Sequence, residues 1–241
     1  MRIAVPIIAQ TIDEARRDMD LAEKQGADII ELRFDYIDNP EIEDIETLVK
    51  HNSVPKIYTN RHSSQSGPDK RAGFKDSEQK RLEFGQAALG AGVNYYDVEQ
   101  GHELNFKPEN PNKQRSILSY HNFLKTPSLG GLQRQFKSML EDSAGAIPYI
   151  IKIATMANDY RDSLNMLKFL EWKLEEYGPG EGEIPQLIGL CMGKEGIPTR
   201  VLGSAYGSYM TFASLERGKS SAPGQMTLSE LREAYKLLQI D

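Results

Sequence analysis

Lys152 stands in the middle of the run Tyr149-Ile150-Ile151-Lys152-Ile153-Ala154, whose β-branched, apolar residues read as a buried strand. Removing an ammonium group from water costs on the order of several kcal/mol even after relaxation. A lysine in such a place has a chemical use if it works uncharged, as an amine that condenses with a ketone to form an imine. The competing reading is an edge strand from which the lysine snorkels to solvent. His121, in Ser119-Tyr120-His121, could move protons near neutral pH, or could be a core histidine satisfied by backbone groups. Arg33, Arg61 and Arg200 could hold an anion by two-pronged hydrogen bonds, and their charge would favour the uncharged amine. Glu31 and Asp97 bring carboxylates, unless Glu31 forms a structural ion pair with Arg33 and Asp97 faces a helix or bridges between groups.

Those residues need a scaffold that brings distant segments together. Strand patterns occur at residues 2–8, 28–33, 56–61, 93–99, 115–121, around Lys152, at 186–191 and at about 209–213. Between them lie helical patterns. Thr11-Ile12-Asp13-Glu14 looks like a capping box for a helix running to about Gln25 and stopped by Gly26. Further helices are expected at 41–51, from a cap at Asp76 to Ala91, at 128–143, at 159–177 and near 198–202. Thr227-Leu228-Ser229-Glu230 caps the closing helix. Residues 62–75 read as a hydrophilic loop, and 101–114, with Pro108, Pro111 and three asparagines, show no helix.

Eight strands alternating with helices indicate a parallel α/β sheet with crossover helices, and eight is the number that closes a TIM barrel. An open doubly wound sheet is the rival, but no Gly-rich dinucleotide turn follows the first strand. We therefore expect one TIM-barrel domain spanning residues 1–241. Successive strand residues face opposite sides. Glu31 thus shares a face with Arg33, Thr59 with Arg61, Asp97 with Glu99, Ser119 with His121, and Ile150 with Lys152. The polar members sit towards the C-terminal ends of their strands, where TIM-barrel active sites are built. The same arrangement on five strands favours the chemical reading of Lys152.

A net charge of −6 argues against a general nucleic-acid binder. The single cysteine, Cys191, excludes an internal disulfide framework and fits a reducing compartment. No signal peptide is visible, and no apolar stretch approaches the ~18 residues of a membrane span. A cytoplasmic protein with a small-molecule substrate, and no nucleic acid or membrane partner, is expected.

Several segments together resemble type I 3-dehydroquinate dehydratase. They are Glu31-Leu32-Arg33-Phe34-Asp35, Tyr96-Asp97-Val98-Glu99, Ser119-Tyr120-His121-Asn122-Phe123, Ile151-Lys152-Ile153-Ala154, Met192-Gly193-Lys194-Glu195-Gly196, Thr199-Arg200 and Ser221-Ala222-Pro223-Gly224-Gln225. The resemblance runs from the first strand to the last helix. It implies a hydro-lyase of the shikimate pathway, which leads to chorismate and the aromatic amino acids, acting on 3-dehydroquinate without metal or cofactor and commonly as a homodimer. By that resemblance Lys152 forms the imine and His121 is the acid–base group. Arg200 would hold the substrate carboxylate with Ser221 and Gln225 closing over it, Glu31, Arg33 and Arg61 the ring hydroxyls, and Met192 would pack on the ring. Residues 214–225 would act as a mobile lid that excludes water.

Four departures accompany the resemblance. Gln65 stands where the family commonly has a glutamate that orients the histidine, which makes Asp97 the better candidate for that role. Thr199 replaces a usual serine, 101–114 lacks the expected helix, and the chain starts directly at its first strand without the N-terminal hairpin of some members. The rival enzyme reading is a class I aldolase with Gly193 to Gly196 as a phosphate cradle. A non-catalytic barrel serving as a scaffold or metabolite-binding module is the reading from another class.

Overall fold

The computed structural model describes residues 1–65, 77–101, 114–142, 148–180 and 184–240. Among these, eight strands alternate with helices: β1 (Ile3–Ile7), α1 (Ile12–Lys24), β2 (Ile29–Arg33), α2 (Ile42–Val49), β3 (Lys56–Thr59), α3 (Glu78–Gly90) and β4 (Tyr95–Glu99) come first. There follow β5 (Arg115–Asn122), α4 (Leu129–Asp142), β6 (Ile150–Met156), α5 (Tyr160–Tyr177), β7 (Gln186–Met192), α6 (Ile197–Leu202), β8 (Thr211–Phe212) and α7 (Leu228–Leu238). The chain divides into two compact units, Ala4–Ser116 and the remainder, Met1–Ile3 with Ile117–Asp241.

In the N-terminal unit β1, β2, β3 and β4 pair in sequence order, all parallel. The register sets Arg33, Thr59 and Asp97 at one level across three strands. In the C-terminal unit β5, β6 and β7 pair in the same way, with Ser119, Lys152 and Ile188 at one level and His121, Ala154 and Leu190 at the next same-face level. Parallel neighbours need a crossover of a dozen or more residues, and the intervening helices supply it. Strands β1, β2, β3 and nearly all of β6 are buried along both faces, as parallel sheets covered by helices should be. The helical layer of the C-terminal unit packs through aromatic rings: Phe136 of α4 makes edge contacts with Phe169 and Trp172 of α5.

The helix signals read from the sequence hold with small shifts. The Thr11 hydroxyl accepts from the Glu14 N–H, but the Glu14 carboxylate reaches Gln10, one residue upstream of the expected box partner. Asp159, expected as the first residue of its helix, is the cap of α5, its side chain accepting from the Arg161 N–H. Ser77 caps α3 by accepting from the Lys80 N–H; the expected cap, Asp76, lies outside the described residues, as do most of 62–75 and 101–114. The eighth strand is shorter than expected, two residues instead of about five. Residues 209–215 are all buried, so the apolar run reports burial, whereas a strand also needs ladder partners. Among the described residues no helix is long and apolar enough to cross a membrane.

The closing helix carries a reciprocal box. Thr227 Oγ1 accepts from the Glu230 N–H, and the Glu230 carboxylate accepts from the Thr227 N–H at 2.9 Å. The Thr227 N–H, then Arg217 and the Thr227 hydroxyl, hold the Glu230 carboxyl down at about 2. A depressed carboxyl stabilises the fold above its ordinary value of 4.5, and that contribution is lost as pH falls towards about 2. Thr227→Ala is expected to cost about 1 kcal/mol in urea unfolding at neutral pH. Glu230→Gln should show a deficit at pH 7 that shrinks below pH 4.5; equal stability of both variants and the wild type at pH 7 would remove the box from the fold's energetics.

Candidate active site

The C-terminal unit supplies the amine. Lys152 lies mid-strand in β6, 6% exposed, with its Nζ 4.6 Å from the centroid of the Phe212 ring on β8. The solvent-snorkelling alternative is therefore excluded by burial. His121 is on the neighbouring strand, two residues beyond the position level with Lys152, which makes it the same-face diagonal neighbour. Its ring is half-buried and stacks on Phe123 at 6.0 Å.

Arg200 is 1% exposed, yet among the described residues no carboxylate pairs with it. Its Nη1 donates to the Phe212 carbonyl at 3.3 Å, and its Nε meets no acceptor among the described residues. Burial pushes its guanidinium down from 12.5 to about 10. The backbone around it is firmly tied. The Thr199 hydroxyl accepts from the Cys191 N–H at 2.8 Å and donates to the Gly196 carbonyl at 2.7 Å, so the hydroxyl kept at this position joins β7 to α6. A Cβ on Gly196 would lie 2.5 Å from the Cys191 carbonyl oxygen, so only glycine lets α6 begin this close to β7.

The segment expected to be a lid is docked. Gly193, directly after Met192 at the end of β7, donates its N–H to the Pro223 carbonyl at 3.0 Å. Gly224 adopts φ +75°, and a Cβ there would lie 2.1 Å from the Gly193 carbonyl oxygen. Ser221 and Gln225 engage one another: the Ser221 N–H donates to Gln225 Oε1 at 2.9 Å, and Gln225 Nε2 donates to Ser221 Oγ at 3.2 Å. The base of the loop is closed by Ser214, whose N–H donates to the Met226 carbonyl while its own carbonyl accepts from Leu228.

In the N-terminal unit the expected cations are already paired. Arg33 grips Asp35 with two bonds of 2.9 and 2.7 Å and lies over the Tyr36 ring. Arg61 grips Asp97 with bonds of 2.9 and 3.2 Å and approaches Glu99 at 3.3 Å. Burial lowers both guanidinium values, but Asp35 and Asp97 respectively outweigh it and hold both above the ordinary value. Glu99 also accepts from the His62 N–H and, at 2.7 Å, from Arg81 of α3. Glu31 accepts from the Thr59 hydroxyl at 2.9 Å, and the salt bridge of Arg33 goes to Asp35. Gln65 donates weakly to the Gln100 carbonyl at 3.5 Å, and its Oε1 meets no donor among the described residues.

Asp35, Glu99, Arg81 and Phe212 were not given roles by the sequence reading. Glu99 stands two residues from Asp97 on the same face of β4, a usable signal, whereas Asp35 follows the end of β2 in a 3-10 turn, where strand alternation gives none. Arg81 occupies a buried helical stripe with Phe84, Gly85 and Ala88, so an arginine at an apolar-periodic position marks it. Nothing in the sequence singled out Phe212.

The fold and site define an α/β protein of the TIM-barrel type with a lysine buried in its sixth strand. A family model for type I 3-dehydroquinase matches residues 3–241. The chain is 36% identical over 242 residues to the 3-dehydroquinate dehydratase of Methanococcus vannielii, covering 98% of this chain and 100% of that one. The solved 3-dehydroquinate dehydratase of Aquifex aeolicus matches with a TM-score of 0.74 and 29% identity, covering 100% of both chains. The type I enzyme of Clostridium difficile, solved with covalently modified comenic acid, matches with a TM-score of 0.81 and 24% identity, covering 98% of this chain and 91% of that one. The chain belongs to the type I 3-dehydroquinase family.

Two outcomes test this geometry. Because the folded value of Arg200 lies below the ordinary one, its charge opposes folding at every pH below about 10, an opposition that fades between about 10 and 12.5. Arg200→Met should then melt no lower than the wild type, since replacing an unbalanced buried charge by an apolar side chain is neutral or stabilising by about 1–4 kcal/mol. It should also lose any rise in melting temperature that a small hydroxycarboxylate gives the wild type. Gly224→Ala adds about 1–2 kcal/mol of backbone strain besides the clash with Gly193, and should speed limited proteolysis within 215–226 by about tenfold or more; an unchanged cleavage rate would show that the Gly193 contact does not hold the loop.

Proposed function

We propose that this chain dehydrates 3-dehydroquinate to 3-dehydroshikimate through an imine on Lys152. The observation that carries the proposal is the grouping, within one unit, of a buried strand lysine, a same-face histidine on the adjacent strand and a buried arginine with no carboxylate partner among the described residues. In the proposed reaction the Lys152 amine adds to the substrate ketone at C3 and expels water, giving an iminium cation. That cation withdraws electrons and makes the C2 proton acidic. His121 takes the proton, the electron pair enters the ring, and the C1 hydroxyl leaves as water with the proton returned by His121. A second water hydrolyses the imine and frees the lysine, so the net change is loss of one water from the substrate.

Arg200 is suited to the substrate carboxylate because that anion supplies the charge and the acceptors its environment lacks. Ser221 and Gln225 close over the carboxylate in the same proposal, and Met192 packs against the ring. The resemblance assigns Glu31, Arg33 and Arg61 to the ring hydroxyls. It gives the orientation of His121 to Asp97, with Gln65 in a supporting place. The proposal also takes the chain to be one catalytic domain and a cytoplasmic homodimer, on the resemblance and the lone cysteine.

The test is mass spectrometry after borohydride reduction in the presence of 3-dehydroquinate. The wild type should carry one reduced adduct on Lys152, and Lys152→Ala none. His121→Ala should still trap the adduct while turnover drops about 10²–10⁴-fold. Normal turnover by either variant, or an adduct on another lysine, contradicts the mechanism.

A further inference from the structure

Arg200 is held from outside its own helix at three points. Tyr235 of α7 donates its phenol proton to the Arg200 carbonyl oxygen at 2.9 Å. Thr211 of β8 donates its hydroxyl to the same oxygen at 3.2 Å. The carbonyl of the next residue, Phe212, accepts from the Arg200 guanidinium. Helix α6 has six residues, so its later carbonyls have no partner inside the helix. A carbonyl oxygen has two lone pairs, and these two hydroxyls fill both. Tyr235 and Thr211 are themselves buried, 7% and 5% exposed, and stand 24 residues apart in sequence on different elements.

We propose that Tyr235 and Thr211 are positioning residues for carboxylate recognition, fixing the rotation of α6 at Arg200 and thereby the direction of its guanidinium. This rests on the reading of Arg200 as the anion anchor. The lever is long. A backbone rotation of about 10° moves the far end of an arginine by about 1 Å, and a displacement of that size can cost up to ~10²-fold in a bound reaction. Thr199 alone cannot prevent such a rotation, because its two bonds lie at the start of α6, to Cys191 and Gly196. Tyr235 and Thr211 fasten the next residue, at the carbonyl of Arg200 itself. If the two hydroxyls merely closed a helix end, their loss would lower stability and leave substrate affinity alone.

The experiment measures kcat, KM for 3-dehydroquinate and melting temperature for Tyr235→Phe, Thr211→Val, Arg200→Lys and the double variant Tyr235→Phe/Arg200→Lys. The proposal expects each hydroxyl deletion to raise KM about fivefold to twentyfold, with kcat within about twofold of the wild type. It expects Tyr235→Phe to have no further effect on KM once Arg200 is lysine, since the group being aimed is gone. Thr211→Val keeps the readout if Tyr235→Phe does not fold. Unchanged KM in both single variants, or the same factor for Tyr235→Phe in the Arg200→Lys background as in the wild type, overturns the positioning role while leaving Arg200 as anchor. An unchanged KM in Arg200→Lys with Arg200→Met also binding normally removes the anchor itself, and the positioning role with it.

Discussion

A charge taken out of water must be answered by other charges or dipoles, and the two units of this chain answer it differently. In the N-terminal unit Arg33 meets Asp35, Arg61 meets Asp97 and Glu99, and Arg81 meets Glu99 and Glu78. Each of these three guanidinium groups has a carboxylate within bonding distance, and two-pronged geometry makes the Arg33 and Arg61 pairs strong and directional. In the C-terminal unit Arg200 is as deeply buried but is met by a carbonyl dipole, and its Nε by no acceptor among the described residues. A dipole offsets only part of the desolvation cost. The difference is what the proposed anchoring of a substrate carboxylate by Arg200 rests on, whereas Arg33 and Arg61 already hold carboxylates of the chain.

Phe212 joins the two chemically important cations of the C-terminal unit. Its ring lies under the Lys152 ammonium and its carbonyl takes the Arg200 guanidinium. One residue of a two-residue strand thus relates the Lys152 amine to the Arg200 guanidinium. Arg33 and Arg61, which the sequence offers as bare cations, are instead paired with carboxylates of their own unit. The side chain that Lys152 directly faces is aromatic, and its strand is buried.

The loop carrying Ser221 and Gln225 shows how little side-chain area is needed to seat a covering segment. Its contact with the end of β7 is backbone to backbone, Gly224 against Gly193, with one N–H to carbonyl bond. The two polar side chains meanwhile satisfy each other. Such a contact is specific in shape but small in area, which is compatible with the lid role proposed for this loop.

The order of elements, the caps at Thr11 and Thr227, and the alternation that groups Glu31 with Arg33 or Ser119 with His121 were legible in the sequence. They are local properties of three or four neighbouring residues, governed by helix-end hydrogen bonding and the two-residue period of a strand. The strand lysine was legible for the same reason: one charged residue in an apolar run is a local contradiction. Partner choice was not. That Arg61 takes Asp97, that Arg81 of a helix reaches Glu99, and that Tyr235 and Thr211 share one carbonyl depend on strand register and helix placement. Those bring residues tens of positions apart within 3 Å or so, a distance over which one step of register exchanges every partner.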